Sequence, residues 1–252
     1  MEIPILILSH KRAGRVTTHR HVAGARVLVP ESQAAAYARH HPPEQILTHP
    51  DSVVGLPAKR QWVLERYPSN FQLDDDSIGL YRVWRYRGAP VPAIAPPEVA
   101  AEVIQNAAAT ARQLGAHFFG FASHANPLTY REHRPFRFGG YSPAGAIGFL
   151  AGHQLWFPKD CTLPMDDYWV CLLNAYHHRY AWLDGRFAFG FKDTYTGRGG
   201  MAEFRAGGGE EGATALLKRY FGAAVVPKRR SRTATKQERN PSARSIALPW
   251  TF

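Results

Sequence analysis

Leu73-Asp74-Asp75-Asp76 sets three consecutive carboxylates at the end of a partly apolar extended segment, in a 252-residue chain of formal net charge +11. Like charges in a row repel, so a folded chain tolerates them best where a cation or donor groups neutralise them. At a strand end alternate side chains point the same way, which predicts Asp74 and Asp76 on one face. Two carboxylates so placed can hold a hard divalent cation, and that cation can hold a diphosphate. An acidic turn capping the next element would use the same residues. A second acidic site, Asp166-Asp167, follows Met165 at the start of a predicted helix. An Asp there can be an N-cap. It can also be a general base facing a metal-bound diphosphate, so that one acid cluster serves the metal and the other the proton.

The segment after the first apolar run reads Ser9-His10-Lys11-Arg12-Ala13-Gly14. A dinucleotide fold would carry glycines there, spaced G-x-G-x-x-G. This stretch is basic and nearly free of glycine, and a Walker loop is also missing. Lys11 and Arg12 can still face a diphosphate, since Arg gives planar bidentate contacts to phosphate oxygens. No Gly-x-Ser-x-Gly elbow is present, which argues against a hydrolase. His177-His178 lacks the Glu spacing of a zinc protease and reads as a surface or acceptor-side pair.

The elements that position these residues alternate. Residues 3–8 form an apolar run suited to a strand buried on both faces, and Arg26-Val27-Leu28-Val29 reads as a second strand. Pro30-Glu31 opens a helix through Tyr37, with Pro in its first turn and an acid at its positive end. Gln45-Ile46-Leu47 is a third strand, Gly55-Leu56-Pro57 starts a helix, and Asn70-Phe71-Gln72-Leu73 is a fourth strand. That order predicts an α/β fold with a mixed, mainly parallel sheet flanked by helices. In such sheets ligands bind beyond the carboxyl ends of the strands, where both the triplet and Ser9-His10-Lys11-Arg12 fall. Further on, residues 81–86 suggest a strand. Pro96-Pro97-Glu98 sets up a helix ending at Leu114, with Gly115 as its stop. Strands are expected at 117–121 and 146–150, an arginine-rich loop at 122–145, a helix at 166–179 and a glycine-rich loop at 195–200.

Composition narrows the class. Lys and Arg number 31 against 20 acids, an excess that points to a polyanionic partner. Lys228, Arg229, Arg230, Arg232, Lys236, Arg239 and Arg244 lie against Glu238 alone, so one domain over residues 1–226 and a mobile basic tail over 227–252 are expected. No apolar run approaches the roughly 20 residues that span a bilayer, and no signal peptide is evident. Cys161 and Cys171 have no metal-ligand spacing and read as reduced, buried thiols of a cytoplasmic protein.

Ser9-His10-Lys11-Arg12-Ala13, Thr17-Thr18, Val29-Pro30-Glu31 with Tyr37, Gly55-Leu56 with Lys59-Arg60-Gln61, and Leu73-Asp74-Asp75-Asp76 follow one another in an order that resembles a known family. It is the TET-associated glycosyltransferase group of GT-A glycosyltransferases, found in phages and some eukaryotes. The resemblance covers most of residues 1–222 and is strongest up to Asp76. It implies a GT-A-like, Rossmann-related domain that binds a UDP-sugar with Mn2+ or Mg2+, in the host cytoplasm if phage-encoded. Ser9, Lys11, Arg12, Arg60, Asp74 and Asp75 would contact the nucleotide sugar, and Asp74 and Asp76 would hold the metal. Asp167 matches the last acid of the family's x-Glu-Asp motif, the catalytic base of inverting members, with Asp166 standing where Glu is usual. No histidine follows His178 to act as the late metal ligand of many GT-A enzymes. The implied acceptor is a hydroxymethylated pyrimidine in DNA, such as 5-hydroxymethylcytosine. A protein, lipid or glycan acceptor, a nucleotidyltransferase and a non-catalytic nucleic-acid-binding protein are the competing expectations.

Overall fold

Ile5–Leu8 forms β1, four apolar residues buried on both faces. Its central place follows from that composition, because β2 (Arg26–Pro30) and β4 (Asn70–Asp74) both pair with it in parallel. The computed structural model describes residues 2–84, 93–159, 165–192, 209–227 and 244–246. Beyond β2 lies β3 (Ile46–His49), and beyond β4 lie β8 (Ala146–Phe149), β6 (Phe118–Phe121), β9 (Trp182–Asp184) and β7 (Phe136–Arg137). β8 and β7 run against the other strands. The outcome is the mixed, mainly parallel sheet expected of a GT-A-like α/β domain.

Alternation along β1 builds the layers. Ile5 and Ile7 join the core under α3 (Pro97–Gln113), with Phe71, Phe119 and Phe121. Leu6 and Leu8 face the opposite way, toward Val63 of α2 (Leu56–Arg66). On that second side α4 (Asp166–His177) and α5 (Gly209–Phe221) bury Trp169, Leu172 and Leu217 against Phe118, Ile147 and Phe149. A four-residue helix, α1 (Ala34–Tyr37), buries Tyr37. Tight spots are filled by missing side chains. A Cβ on Gly148 would stand 2.1 Å from the Phe119 ring on the neighbouring strand. Gly148→Ala should therefore cost about 1–3 kcal/mol, read as a lowered urea midpoint at unchanged slope.

β5 (Ser77–Arg82) starts directly after the acidic triplet and pairs antiparallel with β10 (Phe187–Phe191) in a separate two-stranded sheet. The sequence predicts that strand at 81–86, where bulky residues alternate. It begins four residues earlier because Ser77 and Gly79, weak strand formers, are paired by β10, Gly79 at φ 133°. Within the expected loop at 122–145, Phe136–Arg137 adds an edge strand to β9. Val225–Pro227 (β11) pairs with Arg244–Ile246 (β12), while the rest of the basic tail, the loop at 195–200 and Cys161 lie outside the described residues. Cys171 is a buried free thiol, and burial pushes its pKa up to about 12. No described helix is long and apolar enough to cross a membrane.

Candidate active site

Parallel register brings the sequence-distant site residues together. Leu8 pairs with Asp74, so the residues following β1 lie beside the triplet that ends β4. β8 runs the other way and enters at the same edge, where the Asp74 N–H donates to the Gly145 carbonyl at 2.9 Å. Backbone capture then fixes the acid turn. Thr18 Oγ1 donates to the Asp74 carbonyl (2.7 Å) and accepts from the Ser77 N–H (2.9 Å). The Thr17 N–H donates to the Asp75 carbonyl, and the Lys192 N–H to the Asp76 carbonyl. Thr17-Thr18 is thus a staple on the turn.

The three carboxylates divide. Asp75 is buried and turns toward β1, accepting from Ser9 Oγ at 2.5 Å and from Arg12 Nη1 at 2.8 Å. Since the Ser9 proton goes to Asp75, the Tyr37 hydroxyl 2.6 Å away must donate to Ser9, while accepting from the Arg12 N–H. Burial disfavours the Arg12 charge, but Asp75, with Asp76 and Asp74, outweighs it and holds the guanidinium pKa above its usual value. Asp76 lies 3.9 Å from Arg12 Nη1, with 17% of its side chain open. Asp74 keeps 39% of its side chain open, 3.2 Å from Arg60 Nη2. Burial of its carboxyl, with Asp76, Asp166 and Asp75 nearby, raises its pKa to about 7 against the pull of Arg60. Water reaching that open face moderates the rise.

Lys59 and Arg60, successive residues of α2, address two different strand ends. Lys59 Nζ donates to the Ser9 carbonyl at 2.6 Å, and burial brings its pKa down to about 7. Arg60 is fully buried. Its Nε donates to Asp166 at 2.6 Å, Nη1 to Gln72 at 3.0 Å, and Nη2 to Asp74 and to the Ala144 carbonyl at 2.8 Å. The guanidinium expected at the nucleotide is therefore engaged inside the protein, between the two acid sites.

Asp166 opens α4, where a carboxylate suits the positive helix end, and it is buried on Arg60. Asp167 is half-buried and accepts the Tyr141 hydroxyl, with the Tyr168 N–H on its other oxygen at 2.8 Å. Burial, then the Asp167 charge, holds the Tyr141 phenol protonated well above its ordinary range. Lys11 is exposed, with a left-handed backbone (φ 55°) pinned where its N–H donates to Gln33 Oε1. His177-His178 sits at the far end of α4, about 18 Å from Asp166 at 1.5 Å per residue.

Tyr141, Lys59 and Gln72 are site neighbours that no spacing rule singled out. One signal was available for Arg60. It lies at i+4 from Leu56 and i−3 and i−4 from Val63 and Leu64, so a charge occupies the apolar phase of α2. His49, fully buried at the end of β3, is held neutral by burial and by Lys59, its pKa down at about 4. Below pH ~6.5 the unfolded chain takes up this proton first, so stability is lost as pH falls from about 6.5 to about 4. The urea midpoint should drop across that window, and less steeply in His49→Gln.

Asp74 and Asp76 offer hard oxygen donors at the partly open end of β4. Among the described residues no three His, Cys, Asp or Glu side chains form a ready-made metal centre. That donor set fits Mg2+ or Mn2+, which take one or two carboxylates and fill the remaining positions with phosphate oxygens and water.

A mainly parallel mixed sheet with acidic residues gathered at its carboxyl edge is a GT-A-like domain. Residues 3–200 match the TET-Associated Glycosyltransferase family, and the chain belongs to it. It is a glycosyltransferase. No curated protein and no solved structure matches the chain.

Proposed function

We propose that the protein moves a sugar from a UDP-sugar to the hydroxyl of a hydroxymethylated pyrimidine in DNA, with inversion. The observation that carries this reading is the meeting of two separate acid sites at one sheet edge, with Asp74 partly open to solvent and Asp166 buried, both bonded to Arg60. Asp74 and Asp76 would hold Mn2+ or Mg2+, and the cation would neutralise the diphosphate leaving group. Lys11, whose side chain is exposed beside the turn, and Arg12 add fixed positive charge on the same side, the term that is usually largest in such transfers. The Asp167 carboxylate takes the acceptor proton, its orientation held by the Tyr141 hydroxyl and the Tyr168 N–H. Arg131 and Arg134, with exposed Leu128 and Phe138, offer a surface for DNA in line with the net charge of +11. The target base would be read out of the stack.

The deciding experiment incubates hydroxymethylated and unmodified DNA with enzyme, Mn2+ and a panel of UDP-sugars, followed by mass spectrometry of the nucleosides. A hexose or pentose mass shift on modified DNA alone is the expected result. Transfer to a protein, lipid or glycan with none to DNA would overturn the acceptor, and DNA binding without UDP affinity would overturn the transferase chemistry at this site. A DNA acceptor also requires affinity to fall steeply as salt rises.

A further inference from the structure

Arg60 presents one planar guanidinium to two carboxylates on different loops. Nε holds Asp166 at 2.6 Å and Nη2 holds Asp74 at 3.2 Å, while Nη1 is braced by Gln72 at 3.0 Å. Gln72 lies two residues before Asp74 on β4, so the same cation grips both the strand and its end. The Ala144 carbonyl, just ahead of β8, takes the second Nη2 contact. With no exposed surface, this side chain has no face left for a nucleotide. One positive charge against two negative ones leaves an excess negative charge, and the two acids differ in where they can present it. Asp166 has 10% of its side chain open and Asp74 has 39%. Asp166 is thus the anchored partner, and Asp74 the more solvent-accessible one.

We propose that Arg60 is a positioning residue that clamps the acid turn after β4 to the first turn of α4, setting the separation between the donor-side acids and Asp167. The clamp rests on the donor reading given above. A rigid fork transmits displacement: if the Asp166 anchor moves, the guanidinium tilts and Asp74 moves with it. A lysine at this position would put its donors on a single nitrogen and could not span the two acids.

The test is a double-mutant cycle read by calorimetry of UDP with Mn2+, on variants checked for folding by thermal melts. Asp166→Ala should weaken binding about tenfold, although Asp166 is buried on Arg60. Asp166→Asn, whose amide oxygen still accepts from Nε, should lose less than about threefold. In an Arg60→Lys background, Asp166→Ala should add little. A buried ion pair that matters to stability alone would lower the melting temperature without this pattern in affinity. Wild-type affinity in folded Asp166→Ala, or an undiminished effect once Arg60 is replaced, overturns the clamp. Amide hydrogen exchange supplies an arm independent of the donor. Asp166→Ala should speed exchange at residues 75–77 as well as at the start of α4, and faster exchange at α4 alone overturns the clamp. If the wild-type protein binds no UDP with Mn2+, the donor reading fails while the exchange arm still decides on Arg60.

Discussion

Asp76→Asn should abolish metal-dependent release of UDP, lowering turnover by about 10²- to 10³-fold or more. The substitution removes a charge, and with it the Asp76 contribution to the Arg12 ion pair at 3.9 Å. Asn keeps the size of the side chain, and the turn backbone stays in place because its carbonyls are bound by Thr17, Thr18 and Lys192. A thermal melt should accordingly stay close to that of the wild-type protein. What is lost is one of the two hard oxygen donors, Asp74 and Asp76, together with part of the local negative charge that draws a divalent cation. Turnover is followed as UDP released from the UDP-sugar across a Mn2+ titration. Normal turnover, with the usual metal dependence, would remove Asp76 from the metal set.

Asp167→Asn should separate binding from chemistry. Turnover on hydroxymethylated DNA should fall by about 10²- to 10⁴-fold, the range over which a positioned general base contributes. Affinity for UDP with Mn2+ should not change, because Asp167 is held by Tyr141 and Tyr168, whereas Arg60 bonds Asp74 and Asp166 and the turn backbone is held by Thr17, Thr18 and Lys192. Asn can still accept the Tyr141 hydroxyl but cannot receive a proton. Single-turnover measurements with saturating donor isolate this step from product release. Unaltered turnover would reassign the proton acceptor, whereas a parallel loss of UDP affinity would place Asp167 among the donor contacts.

The first half of the fold was legible because its signals are local. Four apolar residues in β1, the Pro at the start of α2 and the helical spacing through α3 each specify an element without knowledge of its neighbours. The acid triplet at the end of β4 followed from the same reading. The later strands were less legible. β7 is two residues long, and β5 depends on antiparallel pairing with a partner about a hundred positions away. Within the site, residue type pointed to chemistry but not to direction. Asp74, Asp75 and Asp76 look alike in sequence, yet Asp75 turns inward to Ser9 and Arg12 while Asp74 keeps part of its side chain open. The family resemblance implies that Arg60 contacts the nucleotide, yet the side chain is buried. Its burial is a property of helix phase and of two acceptors far off in sequence, Asp74 and Asp166.

The Thr17-Thr18 staple bears on the thermodynamics of donor capture. A loop that must order around a ligand loses conformational entropy at the moment of binding, and affinity falls by that amount. Here all three acid carbonyls are already bound before any ligand arrives, by side chains and amides from residues 17, 18 and 192. The ordering cost of this turn therefore falls on folding. Association at this edge can then proceed without rearrangement of the turn backbone, so the turn adds no ordering cost to donor affinity.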